Sequence, residues 1–310
     1  MKKDEPAKKQ DQKSAAKTDD KKQTTRIVDD TVFTITVPWK VIEQEMEKAV
    51  QELAPSVSVQ GFRQGKVPPN IAKNHIDAAK LRDEALSHIL PSLYAEEAKK
   101  RTLHPVTMPR FNGLDIADNK DWTIEVRVAE KPPVVLGEYK KAVTEVNKKH
   151  RTSIITDTSK PAADKQQQDK EMAMKRQEQL QESLKTLLEV TEIDLPQLLV
   201  QDEAQRTISQ LIEQLNHTGM KIQDFLRSTN RTEEQLRNEH VNQAIANLKL
   251  NFVLDAIQAE EKIMISDKEI DDTISFAPKE ELARLNEHAS RHAIQDRLQR
   301  QKTVDFLLSM

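Results

Sequence analysis

Apolar residues alternate with threonines along Val32-Phe33-Thr34-Ile35-Thr36-Val37, which places Phe33, Ile35 and Val37 on one face, the period of a half-buried strand. Pro38 ends it. The spacing then changes: Ile42, Met46, Val50, Leu53 and Val57 recur at helical intervals and predict an amphipathic helix from Trp39 to about Ser58. After Pro69 a short helical stretch leads into a longer helix lined by Leu81, Ala85, Ile89, Leu93 and Ala98, in which Pro91 is expected to introduce a kink or a split. Period two returns at Trp122, Ile124, Val126 and Val128, a clear strand, with residues 106–116 as a weaker candidate to pair with it. These elements add up to a small α+β domain with a sheet at one end and a loop at the other.

Pro132, Pro133 and Gly137 close that domain, and residues 147–164 show scattered Lys, Thr and Ser without periodicity, as a linker would. From Lys165 onward the pattern is helical almost throughout. A polar-heavy helix runs to about Glu189 and becomes core-facing at Leu180, Leu184, Leu187 and Leu188. Asp194 is expected to cap the next helix, with Pro196 in its first turn and Gly219 at its end. A short helix around Ile222 to Leu226 follows, and Thr232 with Gln235 and Ser266 with Glu269 carry the spacing of capping boxes. Leu282, Leu285, Ala289, Ala293 and Leu298 mark a last helix, and Val304 to Leu308 an apolar tail that folds back on the bundle. The expected division is a disordered tail over 1–25, an α+β domain over 26–146, the linker, and an all-α domain over 165–310.

Composition narrows the function. Charged residues make up 32% and aromatics 4%, which suits a heavily solvated helical protein better than a large compact enzyme. A net charge of −3 means that any attraction to nucleic acid must come from a local patch. With no cysteine there is neither a disulfide framework nor a thiolate metal site, and no run reaches the ~18 apolar residues of a membrane span. The expectation is a cytoplasmic protein with no membrane partner. Catalytic patterns are poor: there is no phosphate-cradling glycine loop and no nucleophile elbow. His288 and His292 could place two imidazoles on one helical face, but no third ligand stands at motif spacing, so neither a metal nor another cofactor is expected.

The informative segment is Gly61-Phe62-Arg63-Gln64-Gly65-Lys66-Val67-Pro68, which holds two of the five glycines in 310 residues. Glycines of this kind serve a tight turn or a close approach, and a ring flanked by two cations suits phosphate and unstacked bases, as in structured RNA. The plainer alternative is a helix-connecting turn in which Phe62 plugs the core.

The pattern G-F-R-x-G-x-x-P between two helical segments resembles the ribosome-docking signature of the bacterial trigger factor family. The resemblance covers about Arg26 to Glu145 and resumes more weakly from Lys165. It implies an α+β ribosome-binding domain followed by an elongated all-α chaperone domain similar to that of the periplasmic protein called SurA. It further implies an ATP-independent, non-enzymatic chaperone that docks at the polypeptide exit of the large ribosomal subunit, against ribosomal RNA and an exit-site protein, and shelters nascent or unfolded polypeptides. Gly61, Phe62, Arg63, Gln64, Gly65, Lys66 and Pro68 would form the docking loop, and a homodimer is one state left open for the free protein. Two departures stand out. The family often has lysine or proline where this chain has Gln64, which bears on docking strength. Between the two matching blocks trigger factors usually carry a peptidyl-prolyl isomerase domain, and here about twenty polar residues stand in its place. No Phe, Tyr or Trp occurs between Tyr139 and Phe225 to build that domain's aromatic cup, so isomerase activity is not expected. The competing readings are a holdase that works away from the ribosome and a helical assembly scaffold.

Overall fold

The computed structural model describes residues 24–63, 65–157, 165–276, 285 and 287–310, with the side chains of all but 152–157, 165–169 and 289. The predicted strand is β2 (Thr31–Val37), preceded by β1 (Thr25–Val28). Phe33, Ile35 and Val37 are buried, as their alternation requires, and each such side chain contributes about 1.5–3 kcal/mol relative to exposure. Pro38 occupies the cap position of α1 (Trp39–Leu53), which offers no side-chain cap of its own. Its first turn is satisfied from afar instead, because the Trp39 N–H donates to Asp121 Oδ1 at 2.8 Å. A 3-10 turn over Ala54–Ser56 ends the segment slightly before the expected Ser58.

Past the loop, α2 (Pro69–Ala72) leads to α3 (Ala78–Lys100), which Asp77 caps by accepting from the Ala79 N–H. Pro91 does not split α3. It and Ser87, whose carbonyl loses its helical partner there, are both exposed, so the freed oxygen lies on the solvent side while Ile89 and Leu90 keep the opposite face buried. Strands β3 (Arg110–Asp115) and β4 (Trp122–Val128) complete an antiparallel sheet of order β2-β4-β3. The register sets Phe33 opposite Val126, Ile35 opposite Ile124 and Val37 opposite Trp122, all on the face that packs on α1 and α3. β3 is narrower than the candidate stretch and is irregular between Gly113 and Asp115.

Three expectations fail beyond this point. The supposed linker from Asn147 is helix: α4 runs Tyr139–Asp157, and Asn147 is fully buried in it. Its periodicity escaped the sequence because a polar residue occupies the core-facing position. Residues 158–164 and the supposed tail through residue 23 lie outside the described residues. Next, the carboxy-terminal half contains a strand. After α5 (Lys165–Val190) comes β6 (Glu192–Pro196), which pairs in parallel with β1 and antiparallel with β5 (Val134–Val135) to give the order β1-β6-β5. Asp194 therefore caps nothing; it lies in β6 and forms a two-pronged ion pair with Arg26, at 2.8 and 3.1 Å. The cap of α6 (Gln197–His217) comes from Asp30, whose Oδ1 accepts from the Leu198 N–H at 2.7 Å, and Pro196 precedes the helix.

Among the described residues there follow α7 (Ile222–Ser228), α8 (Glu233–Glu261), α9 (Asp267–Ser275) and α10 (His288–Ser309). Both predicted capping boxes form, at Thr232/Gln235 and at Ser266/Glu269. Leu282 falls outside the described residues, and the apolar tail is the end of α10, with Leu307 buried against Tyr139, Leu187 and Ile257. The core is divided accordingly. One cluster lies under the β2-β4-β3 sheet, two small ones lie between α1, α2 and α3, and two lie in the helical body, one around β6, α6 and α8 and one around α4, α5, α8 and α10. The body is also clasped by polar bonds. Asn147 Nδ2 donates to the Leu307 carbonyl at 2.8 Å, while its Oδ1 accepts from Gln179 Nε2 and Ser183 Oγ.

Candidate functional site

The loop between α1 and α2 consists of two successive tight turns. The Phe62 N–H donates to the Val59 carbonyl at 3.1 Å and the Lys66 N–H to the Arg63 carbonyl at 2.9 Å. In each turn a glycine is the third residue, Gly61 at φ +92° and Gly65 at φ +79°, the conformation that L side chains resist. A methyl group added at either glycine would meet nothing within 4 Å, so backbone geometry and not crowding explains both residues.

The turns project Phe62 and Arg63 outward. Phe62 is 41% exposed and is not the core plug of the plainer reading. That role falls to Val67, 6% exposed and packed with Ala54 and Ala72, which anchors the loop to the ends of α1 and α2. Pro68 follows as the cap residue of α2, its fixed φ of −60° leading into the helix. Arg63 and Lys66 are exposed, and among the described residues neither is ion-paired. No acidic residue occurs between Glu52 and Asp77, a stretch that also carries Lys73, so the tip is cationic on a chain that is acidic overall. The structure thus brings Gly61, Phe62, Arg63, Gly65, Lys66 and Pro68 together at one tip, while Gln64 lies outside the described residues. Sequence reading missed the anchor, Val67, although its place between the second glycine and two prolines marks where the chain must return to the core.

Residues 21–159 match the family described as "Bacterial trigger factor protein (TF)", and residues 160–309 match its counterpart, "Bacterial trigger factor protein (TF) C-terminus". The chain belongs to the trigger factor family. The two matches abut, so no isomerase domain is interposed between them. Among curated relatives, a trigger factor of Staphylococcus epidermidis is 33% identical over 109 residues, 35% of this chain and 25% of the relative. One of Staphylococcus aureus is 30% identical over 133 residues, 43% of this chain and 30% of the relative. The aligned stretch thus spans between a quarter and a third of these relatives. A solved structure described under "Promiscuous Substrate Recognition in Folding and Assembly Activities of the Trigger Factor Chaperone" superposes with a TM-score of 0.58 at 16% identity, over 90% of this chain and 96% of that one, and shows the shared fold.

Away from the loop, the body presents single large apolar side chains to solvent: Met172, Met174, Met220, Met264 and Phe276, the last 90% exposed. An open trough of about 560 Å³ lies between α5, α8 and β1, lined by Leu184, Leu188, Ile245 and Lys249 among others. Burial lowers the affinity of Lys249 for its proton, and its ammonium donates to the Thr24 carbonyl and hydroxyl. His288 and His292 meet edge to face with ring centroids 5.6 Å apart. Among the described residues no helix is long and apolar enough to cross a membrane.

Proposed function

We propose that this trigger factor family member is an ATP-independent chaperone that docks at the exit site of the large ribosomal subunit through Phe62, Arg63 and Lys66 and shelters emerging polypeptides with its helical body. The observation that carries this reading is the loop itself, in which two glycines at positive φ and a buried Val67 hold an aromatic ring and two cations toward solvent. Arginine forks onto phosphate and lysine adds a point charge, so ribosomal RNA with an exit-site protein is the partner of matching chemistry.

Flexible, polarisable methionines on the body suit weak contacts with scattered apolar side chains of unfolded chains, and tethering at the ribosome raises their effective concentration. With no phosphate-cradling glycine loop and no aromatic residue between Tyr139 and Phe225, the reading includes neither nucleotide-driven cycling nor prolyl isomerisation. The protein would work in the cytoplasm.

The test is co-sedimentation of the full chain with vacant 70S ribosomes at low and moderate salt, beside Phe62→Ala/Arg63→Ala. Binding by the intact chain that weakens with salt and vanishes in the variant, with both far-UV spectra unchanged, supports docking. Ribosome binding that survives the variant refutes the role assigned to the loop. No binding by the intact chain leaves a holdase acting away from the ribosome, which suppression of client aggregation would identify.

A further inference from the structure

Helices α1 and α3 pack over Ala49, Val50, Leu81 and Ala85, and above that apolar seam three carboxylates converge on one imidazole. His88 Nε2 lies 3.3 Å from Glu52 Oε2 and 3.8 Å from Glu84 Oε1, and the three donor atoms fall within 4.8 Å of one another. His88 Nδ1 lies 3.5 Å from Glu45 Oε2 on the other side of the ring.

Bonds of ~2.0–2.1 Å to a tetrahedral zinc ion set neighbouring donors about 3.3 Å apart. The His88 to Glu52 distance already meets that value, and Glu84 needs only a small rotation to reach it. Glu45 stands where metal-binding histidines usually have a carboxylate, beside the second ring nitrogen, so that it would orient the imidazole with Nε2 toward the ion. The charge balance agrees. Lys48 pairs with Glu45 at 2.7 Å, but among the described residues His88 is the only ion-pair partner of Glu52 and Glu84.

We propose that His88, Glu52 and Glu84 bind a zinc-like divalent transition ion, with Glu45 as a positioning residue and water completing the coordination. The ion would staple α1 to α3 one turn before the segment that leads into the loop, and would bind through side chains 57%, 37% and 26% exposed at Glu52, Glu84 and His88, within reach of solvent ions. Mixed imidazole and carboxylate donors favour zinc or cobalt over magnesium or calcium. The site escapes a motif search because its donors stand on two helices 32 and 36 residues apart in sequence.

The test uses untagged full-length protein stripped of metal. Zinc titration by calorimetry should give one equivalent bound, cobalt(II) should give the visible absorption of a low-coordinate site, and zinc should displace it. His88→Gln and the double variant Glu52→Gln/Glu84→Gln should abolish both signals while keeping the far-UV spectrum, and Glu45→Gln should weaken binding about 10–100-fold, as loss of an orienting partner does. The His288→Asn/His292→Asn variant should bind like the parent. Absence of uptake by the intact chain, or uptake that survives His88→Gln, overturns the assignment and leaves the cluster as an ion-pair network.

Discussion

The described residues form two three-stranded sheets built in opposite ways. In β2-β4-β3 all pairings are antiparallel, and the alternating residues of β2 and β4 form a single apolar face although the two strands stand far apart in sequence. In β1-β6-β5 the strands come from three distant places, and β1 runs parallel to β6 across 168 residues, tying the start of the described chain to the helical body. The first sheet is a head that carries its own core; the second is a joint. Side-chain alternation marks the two main strands of the former, whereas the strands of the latter carry no local pattern that names them.

The largest expected effects come from matched cavities. Ile124→Ala in the head sheet and Leu195→Ala in the joint, both residues buried, should each cost about 2–5 kcal/mol. Both tryptophans, Trp39 and Trp122, pack in the head, so their fluorescence follows the head while far-UV circular dichroism follows mainly the helices. Ile124→Ala should move the fluorescence midpoint in urea more than the dichroism midpoint, and Leu195→Ala the reverse. Equal shifts in both signals from either variant would show that head and joint unfold as one unit, and the contrast would fail.

A second effect tests the clasp beside the joint. Asn147→Ala removes the donor to the Leu307 carbonyl and leaves Gln179 and Ser183 without their acceptor, so a loss of about 1–3 kcal/mol is expected in the dichroism transition alone.

The joint's surface pairing should matter less. Arg26 and Asp194 are exposed to differing degrees, and a double-mutant cycle should give a coupling below about 1 kcal/mol that falls with added salt. A coupling well above that would make the ion pair, and not strand pairing, the main tie.

The smallest effect separates head from body by acid. The Ser266 backbone N–H and Lys302 hold the Glu269 carboxyl at a pKa of about 2, below its ordinary 4.5. A depressed carboxylate contributes stability that is complete above its unfolded value and is lost as pH falls from about 4.5 through 2. Glu269→Gln should therefore flatten the acid dependence of the dichroism midpoint over that window and leave the fluorescence midpoint unmoved.

What the sequence revealed follows the same division. Signals carried within four residues were legible: the capping boxes at Thr232 and Ser266, the alternation of Phe33 to Val37, and the glycine spacing of the loop. Where a partner lies far along the chain, the reading erred. Asp194 stands where a helix cap should, yet Asp30 caps α6 from 168 residues away, just as Asp121 satisfies the start of α1 from 82 residues away. Asn147 resembled the start of a linker because a buried asparagine mimics a surface position unless its partners on α5 and α10 are visible. The Glu52, Glu84 and His88 cluster was silent for the same reason.

The parallel pairing of β1 with β6 also sets a timetable for the protein's own birth. Synthesis proceeds from the amino terminus at about 5–20 residues per second, so the 168 residues separating paired positions such as Arg26 and Asp194 take about 8–30 s to make. The head, complete by Val128, can close in that interval, while β1 waits with Ile27 and Val28 unmatched. Every growing copy of this protein therefore carries, for part of a minute, a strand whose partner does not yet exist.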